Sequence, residues 1–82
     1  MVKKVFEKNG AEQKMFREFY EIAQNYFIPE DSDEYWDSYI ETSHNFIQGN
    51  IPFARDLSRA LTYYLESEYL KIRKRGNNNA DA

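Results

Sequence analysis

Residues 29–52 read PEDSDEYWDSYIETSHNFIQGNIP, and the way this stretch is bounded decides the fold. The residue before Pro29 resists helical angles, so a helix arriving from upstream must close there, and Pro52 fits the first turn of a helix that follows. Between the two prolines, Asp31 or Ser32 can cap a helix start, Asp33, Glu34 and Asp37 suit the positive end of its dipole, and Gly49 is a natural stop. The spacing predicts a helix over 33–48. On that helix Trp36, Ile40, Ser43 and Ile47 share the central stripe, Tyr35, Tyr39 and Phe46 flank it on one side, and Glu34, Asp37 and Glu41 project roughly opposite.

Working upstream, Asn9 followed by Glu12 fits a capping-box variant, and Met15, Phe16, Phe19, Ile22, Ala23 and Tyr26 recur with helical spacing. A first helix is expected over about 11–27. Residues 1–8 leave three arrangements open: Val2, Val5 and Phe6 extend that helix, form a short separate one, or lie extended against the bundle. Downstream, Phe53, Ala54, Leu57, Ala60, Leu61, Tyr64 and Ile72 keep a helical period, giving a third helix over about 52–75 with Gly76 as its stop. Residues 77–82, Asn-rich with nothing to bury, are expected to be a disordered tail. Short links between amphipathic helices imply an all-α, compact three-helix bundle, one domain over 1–76.

An 82-residue chain that is 41% hydrophobic lies near the size at which one core only just outweighs chain entropy. Seven tyrosines, six phenylalanines and Trp36 compensate for scarce aliphatic residues, since each ring buries about 150–250 Å². With no cysteine, disulfide frameworks, thiolate metal sites and cysteine nucleophiles are excluded. No apolar run approaches the roughly 20 residues that cross a bilayer, and the N-terminus lacks the apolar core of a secretory signal. A cytoplasmic protein with no membrane partner is the expectation.

The net charge of −3 hides a polarised chain, because the eight acidic residues from Glu18 to Glu41 are interrupted by no lysine or arginine. Basic residues gather before it and at Lys71, Arg73, Lys74 and Arg75. The dipole of the second helix accounts for Asp33 and Glu34 but fades before Glu41, while Glu34, Asp37 and Glu41 repel one another at spacings of three and four. Together with Glu30 and Asp31 they form a candidate partner-binding surface, with Tyr35 and Tyr39 as rigid amphipathic anchors at its edge. On the third helix, Tyr63 and Leu70 stand well away from the Leu57 and Leu61 line and form a second stripe, a candidate for self-association as a homodimer.

Other chemistries find little support. Glu41 and His44 have the Glu-x-x-His spacing of carboxylate-bridged metal sites, but a single histidine leaves the set incomplete, and a surface ion pair is the expectation. No serine has a nucleophile setting, and Gly10, Gly49 and Gly76 all sit at helix boundaries rather than in a phosphate loop. We expect neither catalysis nor a cofactor or metal. In size and charge the chain looks like the small, cysteine-free accessory proteins of bacteriophages and mobile elements, some of which are anti-CRISPR inhibitors that block nucleic-acid-binding channels with acidic surfaces. That resemblance implies a nucleic-acid mimic docking on a protein with a basic surface. The rival expectation is a dimeric nucleic-acid-binding regulator acting through the basic end of the third helix.

Overall fold

The computed structural model describes the backbone of residues 1–81 and side chains as far as Lys74. Three helices are present, α1 (Ala11–Tyr26), α2 (Asp33–Gln48) and α3 (Phe53–Asp81), each packed on the other two as a bundle. The backbone of α3 passes through Gly76, the residue expected to stop it. The side chains of 75–82, and with them the expectation of a disordered tail, lie outside the described residues.

The boundaries follow local chemistry. Ser32 caps α2, its Oγ accepting from the Tyr35 amide at 3.1 Å. At the other end the Gly49 amide donates to the Asn45 carbonyl at 3.0 Å. A Cβ on Gly49 would come within 3.2 Å of that carbonyl oxygen, so close approach is what asks for glycine here. The start of α1 differs from the expected capping box. Asn9 takes a left-handed backbone (φ 65°), Gly10 is the N-cap, and Gln13 rather than Glu12 reaches back to accept from the Asn9 amide. Asparagine tolerates that conformation better than most residues. Glu12 is thereby released to pair with Lys4 at 2.7 Å. Residues 1–7 are non-helical, which rules out an extension of α1 or a separate helix there, and of the three apolar residues Phe6 stacks on Phe16 at 5.8 Å while Val2 and Val5 stay exposed.

The core consists of Met15 and Ile22 from α1, Tyr39 and Phe46 from α2, and Ala54, Leu61 and Leu65 from α3. Phe19, Tyr26, Trp36, Ile51 and Leu57 close around it. This corrects the orientation expected for α2. Tyr35, Tyr39 and Phe46 form its buried stripe, whereas Ile40 is 62% exposed. The reason lies in the tyrosine hydroxyls, all of which find partners at the core's edge. Tyr35 donates to the Tyr26 carbonyl, Tyr39 shares a hydrogen bond with Thr62 at 2.7 Å, and Tyr26 shares others with Ser38 and Thr42. A satisfied tyrosine buries more area than isoleucine without leaving a polar atom stranded.

Candidate functional site

The expected site has two components, and the fold separates them. The carboxylates of Glu30, Asp31, Asp33, Glu34, Asp37 and Glu41 are exposed along the link before α2 and the outer face of that helix. Ion pairs among the described residues join Lys4 to Glu12, Lys14 to Glu18 and Lys71 to Glu68, and none involves these six. Successive turns bring Glu34, Asp37 and Glu41 to one side of α2, opposite the Tyr35, Tyr39 and Phe46 stripe. The negative charge is therefore concentrated, and none of these carboxylates is ion-paired among the described residues.

The tyrosine edge is a correction. Tyr35 and Tyr39 are core residues and cannot meet a partner while the bundle stays folded. Burial, reinforced by the neighbouring Tyr39 and Glu30, pushes the Tyr35 hydroxyl up to about 12. What borders the acidic face instead is a cleft between α1 and α2, lined by Glu21, Asn25, Thr42 and Asn45 above a floor of the buried Ile22 and Phe46. Glu18 at its end is held below the usual carboxylate range by the Asn50 amide and then by Lys14, and its charge is paired with the Lys14 ammonium at 3.1 Å.

Asp31 is held in place by a bond that the sequence reading did not anticipate. Tyr69 on α3 donates to Asp31 Oδ1 at 2.6 Å, which raises the Tyr69 hydroxyl's pKa, and Arg73 lies 5.9 Å over the Tyr69 ring. The link before α2 is thus tied to the far half of α3. The same contacts occupy the basic end, where Lys71 pairs with Glu68 at 2.8 Å and Arg73 is engaged with Tyr69. A second unforeseen clamp is Lys14, whose ammonium donates to the Gly49 carbonyl at 2.9 Å and to Asn50 Oδ1 at 3.2 Å. An isolated lysine on a helix carries no sequence signal for such a role. The Asp31–Tyr69 bond had one, since Asp31 precedes a cap and Tyr69 shares a helical face with Leu65 and Ile72.

On the opposite edge of α2, Trp36, Ile40, Ser43, His44 and Ile47 form a groove with Thr62 and Glu66 of α3. Trp36 Nε1 is buried there with no hydrogen-bond partner among the described residues, the ring being held edge-on by Tyr35, Tyr39 and Tyr69. Glu41 and His44 form no ion pair, and no group of three potential metal ligands occurs among the described residues. Tyr63 and Leu70 project outward from α3, exposed as expected. Among the described residues no helix is long and apolar enough to cross a membrane.

No protein-family model matches this chain, and no curated protein or solved structure matches it either.

Proposed function

We propose that this protein works by binding, and that it docks the acidic outer face of α2 onto a basic surface of another protein. The observation that carries the reading is the set of six exposed carboxylates, from Glu30 to Glu41, with no cation paired to any of them among the described residues. Glu34, Asp37 and Glu41 repel one another by about 0.2–0.5 kcal/mol per close pair, a cost that a solvated face would shed by interleaving one lysine. A basic partner converts that repulsion into attraction and speeds encounter. Rigid presentation supports the same reading, because Ser32 caps the start of the face and Tyr69 anchors Asp31. The partner class is a protein whose basic surface ordinarily meets nucleic acid, so that the carboxylates stand where phosphates would. An inhibitor of the kind carried by phages and mobile elements acts in this way.

The test uses a fluorescein-labelled oligoarginine peptide as the cationic probe. Wild-type protein should bind it, an excess of duplex DNA should compete for the peptide, and the double variant Asp37→Lys with Glu41→Lys should bind at least about tenfold more weakly with its helical circular dichroism intact. Unchanged affinity in that variant rejects the proposal. So does tight binding of labelled duplex DNA by the protein itself that disappears in Arg73→Ala with Lys74→Ala, the result that a basic-end regulator would give.

A further inference from the structure

The face of the bundle turned away from α2 is built from two matching stripes. On α1 and its C-cap these are Phe16, Tyr20, Ala23 and Phe27, and on α3 they are Phe53, Leu57, Ala60 and Tyr64. Each stripe advances by four, three and four residues, the helical repeat of a packing seam. Two ring contacts place the stripes side by side, Phe16 against Phe53 at 6.1 Å and Phe27 against Tyr64 at 5.1 Å. Both contacts are separated by the same eleven residues in each helix, so α1 and α3 run parallel along this face. Phe19 and Tyr26, which touch Phe46 and Tyr39 of α2, point the other way.

Most of this face is in water. Tyr20 is 64% exposed, Phe27 52% and Phe53 47%, with Phe6 extending the patch at one end and Ile28 and Ile72 at the other. At about 150–250 Å² per large side chain, these residues leave roughly 500–800 Å² of surface uncovered. Monomers rarely expose a contiguous patch above about 300–600 Å², whereas about 800 Å² per partner is the standard contribution to a stable interface. Neither stripe carries a charged residue.

We infer that a second copy of this chain covers the α1/α3 face, related by a two-fold axis perpendicular to the helices. Three observations single out this occupant. The four-three-four spacing reads the same in both directions, so an antiparallel copy sets Tyr20 opposite the partner's Ala23 and Leu57 opposite the partner's Ala60. Large therefore meets small on both helices, as close packing requires. Phe16 likewise meets the partner's Phe27, and Phe53 meets the partner's Tyr64, aromatic on aromatic. The exposed area approaches the roughly 800 Å² that each half of a standard interface contributes. Finally, the carboxylates of α2 lie on the far side of the bundle, so pairing through an uncharged face keeps the two acidic surfaces apart. The Tyr63 and Leu70 stripe is a poorer seam, offering two apolar side chains seven residues apart with Arg59 and Glu66 alongside.

Sedimentation equilibrium of the full chain tests this directly. Wild-type protein at tens of micromolar should have twice the 9.9 kDa chain mass. Tyr20→Glu and, separately, Ala60→Glu should raise the dimer dissociation constant at least about a hundredfold, because each would bury an unpaired charge at the seam. Both positions are solvent-exposed in the monomer, so helical circular dichroism should be retained. Leu70→Glu should remain dimeric. The native chain has no cysteine, so mixing Tyr20→Cys with Ala23→Cys chains under oxidation should give the mixed disulfide in preference to either homodimer. A monomer throughout that range overturns the inference. A dimer that Leu70→Glu dissociates while Tyr20→Glu does not overturns it too, and failure of the mixed disulfide overturns the antiparallel register.

Discussion

Tyr39 keeps 1% of its surface in water although it carries a hydroxyl, because Thr62 on α3 shares a hydrogen bond with it. Removing only the hydroxyl, in Tyr39→Phe, should cost about 1 kcal/mol, while Tyr39→Ala should cost about 3–5 kcal/mol through the cavity it leaves. Total stability of an 82-residue domain is about 4–12 kcal/mol, so urea denaturation should find the alanine variant close to unfolding at room temperature. Tyr35 makes a complementary prediction for alkaline pH. Its hydroxyl ionises near 10 in the unfolded chain and at about 12 in the fold, so the stability it contributes is complete below pH 10 and is lost as pH rises from 10 to 12. Tyrosinate absorbance at high pH should rise together with loss of helical ellipticity, and Tyr35→Phe should blunt the coupling. These residues show where the sequence became illegible. Hydropathy ranks Ile40 and Ile47 above tyrosine for the interior, and only the positions of Thr62, Thr42, Ser38 and the Tyr26 carbonyl reverse that order. Thr62 lies on α3 and Tyr26 at the end of α1, while Ser38 and Thr42 sit on α2 but bond Tyr26, so each pairing crosses from one helix to another and the period of α2 alone does not show it.

At the scale of the element, α2 was legible at its ends and misread in its rotation. Pro29, Ser32, Gly49 and Pro52 punctuate the chain through local backbone chemistry, and each boundary falls where they place it. The start of α1 falls at Ala11 as expected, but its capping differs, because Asn9 accepts a left-handed backbone, Gly10 is the N-cap and Gln13 caps from within the first turn. Turning α2 to bury its tyrosines left Glu34, Asp37 and Glu41 outward all the same, since that face lies opposite to both candidate stripes. The acidic half of the proposed site was therefore readable, while its tyrosine anchors were not. Two consequences belong to this helix. Ser32→Ala should cost about 1 kcal/mol, measured as a lower urea midpoint, by leaving the Tyr35 amide without its cap. Asp37→Lys should do the reverse, converting two like-charge spacings into attractive ones and raising stability by roughly 0.5–1 kcal/mol. If the same substitution weakens oligoarginine binding, the helix carries its charge at a cost to its own stability, as a binding surface does and a merely solvated one need not.

Over the whole molecule the bundle sorts its side chains into two unlike exteriors, an anionic one on α2 and an aromatic one shared by α1 and α3, with a tyrosine-rich interior between them. Unlike surfaces respond differently to salt. Screening shortens the reach of charge from about 30 Å at 0.01 M to about 8 Å at 0.15 M, so attraction between the α2 carboxylates and a cationic probe should fall steeply over that range. The two stripes of the α1/α3 seam carry no charge, the Lys71–Glu68 pair beside Tyr64 is already neutralised within the chain, and the two α2 faces the seam holds apart repel only weakly at that distance. The dimer dissociation constant should change by less than about twofold over that range, while oligoarginine affinity drops about tenfold or more. Mass action adds a second signature: a chain stabilised by its own copy melts at a temperature that rises with protein concentration, whereas a monomer's does not. Melting temperatures taken between about 1 and 100 μM should climb for the wild type and for Asp37→Lys, and stay level for Tyr20→Glu. Because Asp37→Lys disables one exterior and Tyr20→Glu the other, a wild-type melting temperature that ignores concentration removes the dimer without touching the acidic docking face. Peptide affinity that ignores salt removes the docking face and leaves the dimer standing.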